Sequence, residues 1–238
     1  MLRRLTCLCL CLLLLPSLRA ESPDWGGSLV LSSDNLMRGT SRSSSDAALS
    51  GELHAQLPSG WLGGLWASTS RVRPADPTTV DIAATVGYGA ALGDDWMLRG
   101  SLTHYESPWQ NRSGFYRYNE VTLDVRYRES LLLSVSYSPD TSRFASAYGP
   151  VWKRNAVAYE ATWQQGLRGG LRGHVGVGYY DLSNLFGEGY WYGSTGLSWS
   201  RANWLLDAAY VIAGRRAEAL SYLGDGGKRG LFSVGYIF

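Results

Sequence analysis

The chain has 238 residues, of which 18% are charged, and a formal net charge of +2. Its three cysteines all lie within the first eleven residues, which excludes a disulfide scaffold in the rest of the chain. The near balance of charge and the lack of a basic patch argue against nucleic-acid binding. Length alone is compatible with one domain or two.

The first twenty residues, MLRRLTCLCLCLLLLPSLRA, have the organisation of a secretory signal peptide. Two arginines form its positive region, residues 5–15 its apolar core, and residues 17–20 a cleavage site. This core is too short for a helix to cross about 30 Å of hydrocarbon. The predicted domains are therefore a signal peptide at 1–20 and a β-barrel at 21–238.

After the signal, apolar and polar residues alternate with a period of two, in segments of about ten residues separated by turn-forming residues. No run of about 18 apolar residues follows the signal, so no transmembrane helix is expected. The pattern predicts twelve strands, at 28–38, 47–57, 60–70, 79–91, 95–106, 115–128, 131–138, 154–165, 170–182, 190–200, 203–213 and 228–238.

Short and long connections alternate along these strands. PSG, GDD, GLRGG and RAN are short, whereas GTSRSSSDA, VRPADPTT and GRRAEALSYLGDGGK are long. In an antiparallel meander, alternate connections lie at the same end, as in outer-membrane barrels with periplasmic turns and extracellular loops. The predicted fold is an all-β, transmembrane, up-and-down antiparallel β-barrel of about 12 strands, with both termini at the periplasmic turn end.

Aromatic residues near the tight turns favour a membrane barrel over a soluble one, because tryptophan prefers the membrane–water interface. The predicted interface girdle consists of Trp61, Trp96, Tyr127, Trp163, Trp199 and Trp204. The apolar faces are also nearly free of charge. In the strand at 115–128, for example, Val121 and Leu123 alternate with Thr122 and Asp124. A bilayer would therefore meet an uncharged surface.

The last strand, at 228–238, is expected to pair with the first and close the barrel. An unpaired backbone N–H or C=O costs several kcal/mol in hydrocarbon, so a spanning sheet cannot keep free edges. On the apolar faces we find His104 and Glu106 as exceptions, near a loop end. The terminal apolar ladder is the expected signal for the assembly machinery and comprises Phe232, Val234, Tyr236 and Phe238.

The opposite faces carry polar residues, which indicates a wet or ion-paired lumen. The predicted lumen-facing residues are Asp34, Arg38, Glu52, His54, Asp81, Arg99, Glu120, Asp124, Arg126, Glu160, Arg172, His174 and Asp207. Seven acids face four arginines in this set, which predicts a weak cation preference if the pore is open. The same residues are also compatible with a charge network that fills a narrow barrel.

Three function classes stay open at this stage. The first is a porin-like channel for passive passage of small solutes; the second is a closed structural or adhesin-like barrel that acts through its loops. The third is a lipid-modifying enzyme, although no serine or histidine spacing indicates a catalytic or metal site. No cofactor is expected. Expected partners are outer-membrane lipid, the assembly machinery and small solutes, and a homo-oligomer is compatible with this class.

The segment LSSDNLMRGTSRS resembles the SDYxFRGxSQ signature that opens the TorF family of porin-like barrels, and LPSGWLGGLWASTS resembles its second conserved stretch. The matching positions are Ser33, Asp34, Arg38, Gly39, Ser41, Gly60, Trp66 and Ser68, whereas Asn35 and Met37 replace the expected aromatic pair. The resemblance implies an outer-membrane β-barrel channel with no assigned enzyme activity, in a Gram-negative bacterium. Asp34 and Arg38, four apart on one strand, are expected to pair across strands, for example with the second and the twelfth.

Overall fold

The computed structural model describes residues 22–71, 74–108, 117–144, 151–220 and 227–238. Within them, twelve antiparallel strands form a closed barrel in which each strand pairs with its neighbour in sequence. The predicted signal peptide lies outside the described residues. No helix in the described part of the chain has the length and hydropathy that a membrane span requires.

In chain order, the elements are β1 (Asp24–Ser32), β2 (Leu36–Met37), β3 (Thr40–Ser41), β4 (Ala48–Gln56), β5 (Trp61–Ser70), β6 (Thr79–Leu92), β7 (Trp96–Glu106), β8 (Tyr118–Tyr127), β9 (Leu131–Phe144), β10 (Val151–Gly166), β11 (Leu171–Asp181), α1 (Ser183–Phe186), β12 (Tyr190–Arg201), β13 (Trp204–Ala213), α2 (Arg215–Leu220) and β14 (Lys228–Ile237). All of the strands except β2 and β3 belong to the barrel. The prediction of a twelve-stranded antiparallel barrel is confirmed.

The predicted first strand, at 28–38, is wrong at both ends, because β1 spans Asp24–Ser32. Its start includes Gly26 and Gly27, which pair with β4 but have no side chain to continue the alternation. Its end is set by Asp34, whose carboxylate accepts hydrogen bonds from the Ser41 and Ser43 hydroxyls at 2.6 and 2.7 Å. These bonds turn the chain away from the wall.

The β9 strand continues past the predicted end at 138, through Pro139, to Phe144. Proline cannot donate to a ladder and is tolerated in a sheet at bulges. The β9–β10 register shifts between Arg154 and Ala156, opposite this proline. The bulge therefore accommodates Pro139, and both strands extend beyond the length that alternation alone predicts.

Pairing of β1 with β14 closes the barrel, with Ser28 opposite Ile237 and Ser32 opposite Ser233. One further pair of backbone hydrogen bonds joins Gly27 and Phe238, at 2.8 and 3.0 Å. A Cβ atom on Gly27 would lie 2.8 Å from the Phe238 ring, so glycine is needed where that ring lies against the strand. The C-terminal residue is thus part of the wall.

Apolar side chains cover the outside of the barrel instead of its centre. Leu65 and Phe232 are 62% and 64% exposed, whereas the acids Asp81 and Glu120 are 4% and 5% exposed. The buried apolar cluster of the described residues lies at the loop end, where α1 and α2 pack on the wall. It consists of Ala156, Leu182, Leu185, Tyr190, Ala213 and Ala217. The distribution of apolar and charged side chains is therefore the reverse of that in a water-soluble protein.

Candidate functional site

The inward faces of the barrel strands form a polar lumen. The predicted lumen-facing residues that lie on these faces are Glu52 and His54 on β4, Asp81 on β6, Arg99 on β7, Glu120, Asp124 and Arg126 on β8, Glu160 on β10, Arg172 and His174 on β11, and Asp207 on β13. Each alternates with residues on the apolar outer surface, since successive side chains of a strand point to opposite faces. Asp34 and Arg38 are also inside, but not on a barrel strand.

Residues 33–47, which we term the inward segment, connect β1 to β4 and fold into the lumen from the loop end. The β2–β3 hairpin at its centre turns at Arg38 and Gly39, which have φ of 51° and 78°. Positive φ at both central residues is typical of a type I′ turn. A Cβ on Gly39 would also lie 2.9 Å from the Cβ of Tyr192, so the hairpin lies close to the wall. Arg-Gly in the sequence motif therefore forms this turn.

Arg38, at the turn of the inward segment, contacts two strands of the wall. Its guanidinium donates to Glu120 on β8 at 2.7 Å and lies 4.6 Å from the centre of the Tyr180 ring on β11. Both partners of the ion pair are almost fully buried, at 7% and 6% side-chain exposure. A buried charge that loses its partner costs about 3–5 kcal/mol, so this contact holds the hairpin firmly.

Two further ion pairs join the inward segment to the wall. Arg42 pairs with Asp81 on β6 at 2.5 Å, and Asp34 pairs with Arg229 on β14 at 2.6 Å. From the sequence, Asp34 and Arg38 are expected to pair across strands, with the second and the twelfth as examples. Asp34 pairs with the twelfth barrel strand, β14, whereas the guanidinium of Arg38 extends across the lumen to β8 and, among the residues described, neither pairs with the second barrel strand. The segment is fastened to three separate regions of the wall.

Among the described residues, two cavities in the lumen lie next to the inward segment. The larger, of about 720 Å³, is lined by β4 to β10. The smaller, of about 300 Å³, is lined mainly by β10 to β13. Leu36 of the inward segment and Glu160 of β10 line both. Glu160 therefore borders both cavities.

Sequence reasoning missed Arg42 and Arg229 as luminal charges. Arg229 shares the inward face of β14 with Leu231 and Ser233, so alternation could have identified it. Arg42 lies outside any alternating strand, so no such signal existed. With both included, seven acids face six arginines, and the excess of negative charge falls from three to one.

Three luminal acids have partners other than arginine. Tyr192 donates its hydroxyl hydrogen to Glu160 at 2.6 Å. Glu52 lies 3.2 Å from His54, and Asp207 lies 3.7 Å from His174. Within the described ranges, no arginine or lysine nitrogen approaches these carboxylates to 4.0 Å. The uncompensated negative charge of the lumen is concentrated on these acids.

The six predicted girdle residues lie on the outer surface near the turn end. Three cross-strand aromatic pairs occur there: Trp61–Tyr88, Trp96–Tyr127 and Trp204–Tyr236, with ring centres 4.7–5.5 Å apart. The indole of Trp199 donates to the carbonyl of Gly169 at 3.1 Å, and Trp163 is 48% exposed. The sequence analysis missed a pair at the loop end, Trp191–Tyr179, with ring centres 4.9 Å apart. Aromatic residues therefore lie at both ends of the apolar surface.

His104 and Glu106 lie on the outer face at the loop end of β7, in a polar group. His104 is 2.9 Å from the side-chain oxygen of Asn119, and Arg117 donates to Glu106 at 2.7 Å. At the opposite end, Arg128 donates two hydrogen bonds to Asp95, which hold the pKa of Asp95 below its usual value. In the described part of the chain, no group of three or more His, Cys, Asp or Glu is arranged to hold a metal ion.

The predicted assembly residues share the outer face of β14. Phe232, Val234, Tyr236 and Phe238 are 64%, 44%, 39% and 57% exposed. They form a continuous apolar row next to β1 and β13. Their role in assembly stays a prediction.

A closed twelve-stranded barrel with a polar lumen is the architecture of a porin-like β-barrel. Two solved structures share it: a KdgM porin (9% identity, TM-score 0.56) and a NanC porin (11% identity, TM-score 0.57), each matched over 90% of this chain and 98% of its own length. At these identities the likeness concerns the fold. The chain belongs to the Gcw_chp family, described as a bacterial protein of unknown function, whose profile matches residues 20–231. No curated protein matches the sequence significantly.

Proposed function

We propose that this protein is an outer-membrane channel of a Gram-negative bacterium, through which small solutes pass passively. The observation that carries the proposal is the inverted polarity: an uncharged apolar belt outside and water-accessible polar cavities inside. The resemblance of the inward segment to the TorF signature supports the same function. The proposal includes a cleaved signal peptide, periplasmic termini, extracellular loops and no enzyme activity. Single-channel recordings of refolded protein in planar bilayers test it.

Leu123→Arg is expected to destabilise the barrel by about 2–4 kcal/mol, because it places a charge on the lipid face. Leu123 lies on the outer face of β8, about 13 Å along the strand from Tyr127 in the girdle. The measurement is urea unfolding in lipid vesicles, followed by the loss of heat-modifiable gel migration.

The matched control is Thr122→Arg, the next residue on the same strand, whose side chain faces the lumen near Glu120. It is expected to leave stability within about 1 kcal/mol of wild type, because a luminal charge keeps its water. Equal destabilisation by both variants would contradict a lipid-facing outer surface.

A weak cation preference is proposed, with Glu160 as the residue that carries most of it. Glu160 lines both cavities and has a tyrosine, not an arginine, as its partner. Glu160→Gln is expected to move the K⁺/Cl⁻ permeability ratio towards unity, as read from reversal potentials in a KCl gradient. Asp94→Asn is the control, because Asp94 is an exposed carboxylate at the turn between β6 and β7. An anion-selective wild type, or an unchanged ratio in Glu160→Gln, would refute the assignment.

One observation favours the second candidate function, a closed barrel that acts through its loops. The inward segment occupies part of the lumen and is fastened by three buried or half-buried ion pairs. A refolded barrel that migrates as a folded band but never conducts would support this alternative over the channel.

A further inference from the structure

Trp66 is one of nine tryptophans on the barrel strands that the structure describes. Seven lie on the outer surface: Trp25, Trp61, Trp96, Trp163, Trp191, Trp199 and Trp204. An eighth, Trp152, is 47% exposed at the loop end of β10. Trp66 instead follows Leu65, which is 62% exposed outside, and pairs in register with Glu52 and the buried Ala83. Its ring therefore faces the lumen, where it lines the cavity of about 720 Å³.

The wall of the same cavity carries a set of hydroxyl groups on adjacent strands. Thr85 and Thr103 lie 2.9 Å apart between β6 and β7, and Thr122 and Ser136 lie 2.9 Å apart between β8 and β9. A hydroxyl both donates and accepts hydrogen bonds, and each keeps capacity after bonding its neighbour. Such a wall can exchange hydrogen bonds with the hydroxyl groups of a solute.

The charges of this cavity disfavour an anionic solute. Arg42 and Arg99 are already paired, with Asp81 and Asp124, each at 2.5 Å. Glu52 and Glu160, by contrast, have no arginine or lysine nitrogen within 4.0 Å in the part of the chain that the structure describes. An added anion would find its cations neutralised and would approach two carboxylates.

We propose that the cavity is a binding site for neutral polyhydroxylated ring compounds, that is, uncharged sugars, with the sugar ring stacked on Trp66. An aromatic face provides a large rigid apolar surface, and a small number of placed polar groups provides orientation. A cavity of about 720 Å³ is within the range of small-molecule sites, about 300–1,000 Å³. The inference rests on the proposed channel function and names its solute class.

Equilibrium binding is the first test, with glucose as the probe and glucuronate as its anionic counterpart. It uses isothermal titration of the refolded full-length protein in a detergent that lacks a sugar head group. Glucose is expected to bind with a saturable signal, and glucuronate is expected to bind at least about fivefold more weakly. Equal binding of both compounds, or no saturable glucose signal, would overturn the proposal.

Variants on one strand separate stacking from structural effects. Trp66→Leu is expected to weaken glucose binding by about fivefold or more, Trp66→Phe to retain most of it, and Trp61→Leu to leave it unchanged. Trp61 lies on the same strand but on the outer face. If Trp66→Leu binds glucose like wild type, or if Trp61→Leu loses as much, the ring of Trp66 has a packing role only and the proposal fails.

The same variants in planar bilayers keep this proposal distinct from the channel function. Glucose is expected to reduce the wild-type ion current in a saturable way, and Trp66→Leu to require a higher concentration for half of that block. Conductance without a sugar effect would refute the solute class but leave the channel intact. Binding in detergent without conductance would refute the channel but leave the site.

Discussion

Replacing Arg38 by alanine is expected to increase the single-channel conductance severalfold and to make the current fluctuate. The Arg38–Glu120 ion pair is buried on both sides and holds the tip of the inward segment across the lumen. Its loss leaves Glu120 charged and buried without its partner, at a cost of about 3–5 kcal/mol. Movement of the segment away from β8 would let water reach that carboxylate. Bilayer recordings at fixed salt measure the change.

Arg99→Ala is the matched control for this experiment. Arg99 also forms a luminal ion pair, with Asp124, but both residues lie on neighbouring wall strands and neither belongs to the inward segment. Its removal is expected to alter the conductance modestly, through local charge, without added fluctuation.

A mutant cycle adds a second criterion. Glu120→Gln is expected to raise the conductance like Arg38→Ala, and the double variant is expected to add little, because both changes break one contact. Additive effects, or an unchanged conductance in Arg38→Ala, would show that the inward segment does not limit the current.

Deletion of Phe238 is expected to reduce the amount of barrel that assembles in the outer membrane by a large factor. Phe238 forms the last two backbone hydrogen bonds between the ends of the chain, and its ring covers the side-chain-free surface of Gly27. Its loss removes the final rung of the closing ladder and exposes backbone groups at the edge. Heat-modifiable migration of membrane fractions, compared with total expressed protein, measures assembly.

Deletion of one residue between positions 221 and 226, after α2, is the control of equal length. It is expected to leave assembly near the wild-type level, because connections tolerate length changes far better than strands do. Phe238→Leu separates the ring from the backbone, since it keeps both hydrogen bonds. Equal losses from the two deletions would contradict a special role of the terminal residue.

Alternation was sufficient to predict most of the wall. In β8, the outward residues Val121 and Leu123 and the inward residues Glu120 and Asp124 occupy the faces that the sequence indicates. A barrel makes this reading reliable, because one face meets an apolar surrounding and the other meets water along the full length of each strand. At Gly26 there is no side chain to distinguish an apolar from a polar face, so the pattern did not show where the strand begins.

The inward segment could not be derived from such a pattern. Its positions are fixed by particular partners far away in sequence: Arg38 binds Glu120, and Arg42 binds Asp81. Serine-rich connections are usually solvated loops, and alternation carries no information on whether a loop folds in or out. The Arg-Gly motif was visible in the sequence, but its structural meaning, a tight turn at Arg38 and Gly39 inside the lumen, required the fold.

The Asp34–Arg229 ion pair has a consequence for the order of folding events. It joins residues 195 positions apart, so it can form only after the final strand has been synthesised and has reached the first. Contacts this distant in sequence form late, because the chain between them must first lose its freedom. The pair therefore links the seating of the inward segment to completion of the wall. Before closure, the inward segment can have only its contacts with β6 and β8, and it gains the third when the last strand meets the first.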